Sequence, residues 1–252
     1  MKVLKFGGTS VADSKSLSHV LKIIQNQRGP IAVVVSALGG VTDLLMEMLS
    51  FAESGDDNYK DNLTVIEKRH LETIKNCVPI QHQSAIISFL KKHLNELESL
   101  LDAIHLLKEA TPKNNSTISS YGEILSSNII QEIFTFNKIN SVLKDSRELI
   151  KTYSHNGRDI VDQEITENLV QSFFKKNTSD VILLPGFIAS NRLEETTTLG
   201  RGGSDYSAAI IANASDSDVL EIWTDVSGMY TADPKIVAQA KPIEKLSYYE
   251  AM

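Results

Sequence analysis

The sequence predicts an α/β fold with a mainly parallel sheet, on three observations. Val3-Leu4-Lys5-Phe6, Ile31 to Val35 and Val181-Ile182-Leu183-Leu184 are short apolar runs without polar alternation, as in strands buried on both faces. Each run stops at small or turn-forming residues: Gly7-Gly8, Ser36 with Gly39-Gly40, and Pro185-Gly186. Stretches with helical spacing lie between the strands, the order of a layered α/β domain.

The elements follow in chain order. After the first strand, Asp13 or Ser14 can cap a helix whose Leu17, Val20, Leu21 and Ile24 share one face. The second strand ends near Ser36, and a helix is expected from about Thr42 to Glu53. Residues from about 55 to 115 read as a helical insertion. Leu90, Leu94, Leu97, Leu101, Ile104 and Leu107 form its long amphipathic stripe, and such stripes serve as packing seams. Thr111-Pro112-Lys113-Asn114-Asn115 reads as a polar break, followed by a helix from about Ser119 to Phe136. Ile139 to Leu143 is a candidate strand and Ile165 to Lys175 a candidate helix. The segment through Glu194 and Glu195 to Thr198 reads as a polar loop. A helix opens at Leu199 to Asp205, and Val219 to Thr224 is the last clear strand.

Bulk properties narrow the classes. The 252 residues suffice for a sizeable core, and 42% apolar with 23% charged residues is ordinary for a folded chain. The net charge of -7, without a basic block, argues against a nucleic-acid binder. No apolar run approaches the roughly 20 residues of a membrane span, and no secretory leader is evident. A cytoplasmic location is expected. Cys77 stands alone, so no intrachain disulfide forms, and it reads as an inert thiol.

Three small-residue turns follow strands, and in an open α/β sheet such turns gather at the carboxyl edge, where ligands bind. The first is Lys5-Phe6-Gly7-Gly8-Thr9-Ser10. Its glycines let backbone N–H groups approach an anion, and Lys5 adds a positive charge. Alone, it reads more readily as a tight turn beside a solvated lysine than as a phosphate site. The second, Ser36 to Thr42, leaves ligand space or simply caps a helix through Thr42. The third, Gly200-Arg201-Gly202-Gly203-Ser204-Asp205, opens a helix N-terminus, and Arg201 can take a carboxylate in a bidentate pair.

With these residues in view, the chain resembles the aspartate kinases. The resemblance rests on Lys5-Phe6-Gly7-Gly8-Thr9-Ser10-Val11 and on Leu199 to Ala208. Glu221-Ile222-Trp223-Thr224-Asp225-Val226-Ser227-Gly228-Met229-Tyr230-Thr231-Ala232-Asp233-Pro234 and Ser120-Tyr121-Gly122-Glu123 extend it, in family order, over nearly the whole chain. It implies the three-layer α/β/α sandwich of the amino-acid-kinase (carbamate-kinase-like) fold, with a nucleotide-binding half at about residues 180 to 252.

The resemblance also implies an activity and roles. ATP, with Mg²⁺ riding on its phosphates, would phosphorylate the β-carboxylate of L-aspartate, the first step towards lysine, threonine and methionine. Lys5 would contact the transferred phosphoryl group and Asp205 would organise Lys5. Thr42, Glu123, Arg201 and Ser204 would hold aspartate. Gly7, Gly8, Thr9, Ser36, Gly202, Gly203, Thr224, Asp225, Tyr230 and Lys235 would line the nucleotide. No protein ligand to a metal is assigned. Family members continue through a Phe-Gly-Ala-Lys-type segment and ACT regulatory domains, and some are fused to homoserine dehydrogenase. The chain is accordingly expected to be the C-terminally truncated kinase part of such a protein, homo-oligomeric at full length. Two alternatives stand beside this reading. One is a related kinase acting on glutamate, uridylate or carbamate. The other is a folded fragment that binds ligand or dimerises without turnover.

Overall fold

The computed structural model describes residues 1–226, 228–234 and 236–251. A parallel five-stranded sheet forms its centre. It is built from β1 (Lys2–Phe6), β2 (Ile31–Val35), β3 (Ser141–Leu143), β6 (Val181–Pro185) and β9 (Val219–Trp223), in the order β3-β6-β2-β1-β9. Lys5 lies opposite Val34 on one side and Ile222 on the other, so the chemistry-bearing end of β1 is flanked by two strand ends.

Alternate strand residues face opposite layers. Leu4, Phe6, Val33, Val35 and Leu183 pack against α1 (Ser14–Gln25), α2 (Val41–Ser54), α3 (Tyr59–Cys77), α4 (Gln83–Leu107) and α5 (Pro112–Phe136). Val3, Ala32, Val34, Ile182 and Leu184 pack against α6 (Gln163–Lys176) and α7 (Gly203–Ala214). This is the expected three-layer α/β/α sandwich. Asp13, one of the two expected caps, caps α1 by accepting from the Ser16 N–H at 2.8 Å.

In the stretch from about 55 to 115, α3 and α4 pack on α2 and α5. Leu90, Leu94, Leu97, Leu101 and Ile104 are buried, each stabilising the fold by about 1.5–3 kcal/mol. The stripe ends one step earlier than its spacing suggests, because Leu107 closes the helix and is 72% exposed. His70, on α3, is fully buried. Its Nδ1 meets the Ile66 carbonyl at 2.7 Å, and desolvation lowers its pKa to about 4, which keeps it neutral. Burial pushes the Cys77 thiol up to about 11, so it is a poor nucleophile at neutral pH.

Two expectations need correction. Thr111 to Asn115 is not a break but the start of α5. The Thr111 hydroxyl accepts from the Asn114 N–H at 3.2 Å, the Asn114 side chain returns to the Thr111 N–H, and Pro112 occupies the first turn. Turn-forming residues and a capping box look alike in composition. The segment to Thr198 is likewise not wholly a loop. β7 (Ile188–Asn191) and β8 (Thr196–Thr198) form a hairpin in a second sheet, of order β5-β4-β7-β8, with β4 (Lys151–His155) and β5 (Arg158–Val161). Its polar residues pair across the sheet, as in the Thr152–Thr197 hydroxyl contact at 2.8 Å, so the strands lack an apolar signature. Among the described residues, no helix is long and apolar enough to cross a membrane.

Candidate active site

The three turns meet in one cleft of about 740 Å³ at the carboxyl edge of the parallel sheet. The first contributes Lys5 and Gly8, the second Ser36 to Gly40 with Thr42, and the third Gly200 to Asp205. Glu123 reaches the same cleft from α5.

The first two turns touch backbone to backbone. A Cβ on Gly8 would lie 3.2 Å from the Ala37 carbonyl, and one on Gly39 would lie 3.1 Å from the Gly8 carbonyl. Only glycine allows that approach without displacement. Gly7 precedes a short 3₁₀ turn over Gly8–Val11, with its carbonyl accepting from the Ser10 N–H at 2.9 Å. Gly40, at φ 79, is the N-cap of α2. Thr42 therefore does not cap the helix. It lies inside the first turn and lines the cleft.

Lys5 is 8% exposed, and its Nζ lies 2.6 Å from Asp205 Oδ1. Both side chains come from elements that end at the cleft, the carboxyl end of β1 and the first turn of α7. Gly202, at φ 72, caps α7, so the N-terminal end of that helix, with Gly203, Ser204 and Asp205, lines the same space. Ser204 is seated close against β6, with its Cβ 2.7 Å from where a Cβ on Gly186 would stand. Arg201 is exposed and forms no ion pair among the described residues.

Glu123 is the electrostatic anomaly of the site. It is 3% exposed, its Oε1 accepts from the Ala37 N–H at 3.2 Å, and its Oε2 has no hydrogen-bond partner. Desolvation raises its pKa to about 8, against the smaller opposing effect of the Ala37 hydrogen bond. Gly122 makes this placement possible, since a Cβ there would lie 2.8 Å from the Ala37 Cβ and 3.4 Å from Leu45 Cδ1. Gly122→Ala is expected to push α5 off the second turn at a cost of about 1–3 kcal/mol. Thermal denaturation checks this, and an unchanged Tm would show that the helix yields freely.

The remaining expected residues divide. Thr9, Thr224 and Asp225 line a second recess of about 250 Å³, beside the stacked rings of Phe6 and Trp223. Tyr230 lines neither recess and pairs with Pro242 in an isolated bridge. Lys235 lies outside the described residues. Among the described residues, no three or more His, Cys, Asp or Glu side chains cluster as a metal cage. Asp43 and Asp205 line the cleft as separate carboxylates.

Sequence reasoning missed Asp43, Phe187 and the wall formed by Asn115, Ser116 and Ser119. Phe187 has a left-handed backbone, φ 65, which composition does not announce. The wall did leave a signal. Ser116, Ser119 and Glu123 recur at helical spacing as a polar stripe, on a helix that also carries the buried apolar residues Ile118, Tyr121 and Leu125. The α5 wall is joined to the β7–β8 hairpin by the Lys113–Glu195 ion pair at 2.6 Å.

Comparison with known proteins agrees with this architecture. The bifunctional aspartokinase/homoserine dehydrogenase of Buchnera aphidicola subsp. Acyrthosiphon pisum (strain APS) is 35% identical over 264 residues, covering 100% of this chain and 31% of the relative. Lysine-sensitive aspartokinase 3 of Escherichia coli (strain K12) is 33% identical over 258 residues, covering 99% of this chain and 54% of the relative. The crystal structure of E. coli aspartokinase III in complex with aspartate and ADP (R-state) superposes with a TM-score of 0.86 at 31% identity, over 96% of this chain and 53% of that one. The chain thus spans from about a third to about half of the relatives it matches. The family model described as the amino acid kinase family matches residues 1–252, and with the parallel sheet and the converging turns this places the chain in the amino acid kinase family.

Proposed function

We propose that this chain transfers the γ-phosphoryl group of ATP to the β-carboxylate of L-aspartate, giving 4-phospho-L-aspartate. One observation carries the proposal above the others. The cleft sets the unpartnered Oε2 of buried Glu123 and the exposed guanidinium of Arg201 around one space, with Lys5 at the glycine turn. A carboxylate and a guanidinium together match the ammonium and α-carboxylate of an amino acid, and the lysine matches a phosphoryl group. The similarity to aspartokinases, one of them solved with aspartate and ADP, supports the same assignment.

The chemistry needs no general base, because the attacking β-carboxylate is already an anion. Its oxygen forms the new bond to the γ-phosphorus. The bond from that phosphorus to the β,γ-bridging oxygen breaks, and ADP leaves with the electron pair. Positioning and charge neutralisation do the remaining work. Lys5 neutralises the transferring group, Asp205 holds the ammonium in place, and the N–H groups of the Gly8 turn and of the start of α7 face the same charge. Thr42 and Ser204 complete the substrate wall. Mg²⁺, when bound, screens phosphate charge, with Asp205 as the nearest carboxylate to Lys5.

The wider assignments are part of the same proposal. Residues from about 180 to 252 form the nucleotide-binding half, whose Thr224 and Asp225, together with Thr9 of the first turn, offer their recess to the nucleoside end. Residues from about 55 to 115 form an insertion, the full-length protein is a homo-oligomer, and the setting is cytoplasmic.

A hydroxamate assay with ATP and either aspartate or glutamate tests the reaction. Product from aspartate is expected. Product from glutamate alone would overturn the substrate, and no acyl phosphate from either acid would overturn the kinase reading of this chain. Arg201→Ala is expected to raise the aspartate KM about 10- to 100-fold, the worth of one charged bidentate pair, with kcat changing far less. A fall in kcat at unchanged KM would remove Arg201 from the substrate site.

A further inference from the structure

Arg69 lies on α3, outside the cleft wall, yet its side chain reaches the second glycine turn. Its Nη2 donates to the Gly39 carbonyl at 2.6 Å. The partner of this half-buried guanidinium is thus a backbone carbonyl at the cleft, an unusual use for a charged side chain whose helix packs mainly on other helices.

The peptide joining Gly39 and Gly40 is trans, so its N–H points opposite to its carbonyl. With the carbonyl drawn towards α3, the Gly40 N–H is turned away from it. That N–H makes no hydrogen bond among the described residues, and Gly40 itself is exposed and lines the cleft. The Val41 N–H closes the turn across this peptide by donating to the Leu38 carbonyl at 2.9 Å, but that bond is compatible with either orientation of the central peptide, and Gly40, left-handed and without a Cβ, permits both. Gly39 also abuts the Gly8 carbonyl, so any rotation of the peptide is passed to the phosphate turn.

We infer that Arg69 is a positioning residue: it fixes the Gly39–Gly40 peptide so that the Gly40 N–H serves as an anion donor in the cleft and the Gly8 turn keeps its place. The anion is a phosphate oxygen of the nucleotide or the carboxylate that attacks it, the two anions that the proposed reaction brings together. The helical insertion is then part of the ligand-binding apparatus as well as a packing layer. This inference rests on the kinase reading of the cleft.

Equilibrium binding of ATP and of aspartate, followed by calorimetry alongside the hydroxamate assay, tests it. Arg69→Met keeps most of the aliphatic stem and removes the donor. It is expected to weaken binding of at least one ligand about tenfold and to lower kcat, and Arg69→Lys is expected to recover part of both. Thr73→Val is the control for damage to α3. The Thr73 hydroxyl donates to the Arg69 carbonyl at 3.0 Å on the same helix but does not reach the turn, so ligand binding and kcat should survive any loss of Tm. Wild-type affinity and kcat in Arg69→Met would overturn the positioning role. So would an equal loss in Thr73→Val at equal Tm. If the wild-type protein binds neither ATP nor aspartate, the kinase reading itself fails and this inference falls with it.

Discussion

Lys5→Met is expected to lower kcat by about 10²–10³-fold while leaving the aspartate KM within a few-fold of wild type. The ammonium is almost fully withdrawn from water, so its charge acts on a developing phosphoryl charge with little screening. Methionine preserves the aliphatic packing against β2 and β9. The carboxylate left behind, Asp205, has a side chain 49% exposed, so although its Oδ1 is buried and loses its one partner, the rest of the group keeps its contact with water. The energetic consequence therefore falls on the transition state more than on the fold, and Tm should move by only a few degrees. Steady-state kinetics with a parallel melting curve separate the two. An unchanged kcat would remove Lys5 from phosphoryl transfer, and a collapse in Tm would mean that the Lys5–Asp205 pair holds the sheet edge together.

How much of this was legible in the sequence depends on which physical signal each element leaves. The parallel strands declare themselves because burial on both faces forces continuous apolar runs, as at Ile31 to Val35, where all five residues are buried. The second sheet leaves no such trace. Its Thr152, Ser190 and Thr197 are buried polar residues satisfied by one another and by backbone groups, so they read as loop. The turns were visible as glycine clusters, but the sequence alone could not show that Gly8 and Gly39 touch. That contact depends on the neighbouring pairing of β1 and β2, with Phe6 opposite Val35.

The candidate site was legible in a similarly uneven way. Lys5, Arg201 and Asp205 carry charge in or beside glycine-rich turns, where structural explanations are few. Glu123 looks like an ordinary helix-surface acid in one dimension. Only packing shows that the small residue before it draws α5 onto Ala37 and carries the carboxylate out of water. Arg69 left no signal at all, because its role depends on where one guanidinium lands across a helix interface.

Glu123→Gln should separate stability from function in opposite directions. In the unfolded chain this carboxyl titrates near 4.5, and in the folded protein near 8. Below the lower value both states are protonated and Glu123 costs nothing. Between the two the unfolded state ionises while the folded state holds its proton, so stability falls steadily as pH rises. Above about 8 both are ionised, and the full penalty, on the order of 5 kcal/mol, is present. Glutamine keeps an oxygen for the Ala37 N–H and never ionises. The variant should therefore melt close to wild type at pH 5 and several degrees above it at pH 9. Binding should run the other way. An ammonium needs the ionised carboxylate, so the apparent aspartate Kd of the wild type should fall about tenfold for each pH unit between 6 and 8, with a proton released on binding. In Glu123→Gln that slope should vanish and affinity should be poor throughout. Calorimetry in two buffers of different ionisation enthalpy reads the proton directly. A wild-type Kd that is flat over this range would mean that Glu123 is already ionised in the free protein, and the unpartnered Oε2 would then require a bound cation or water in place of the substrate's ammonium.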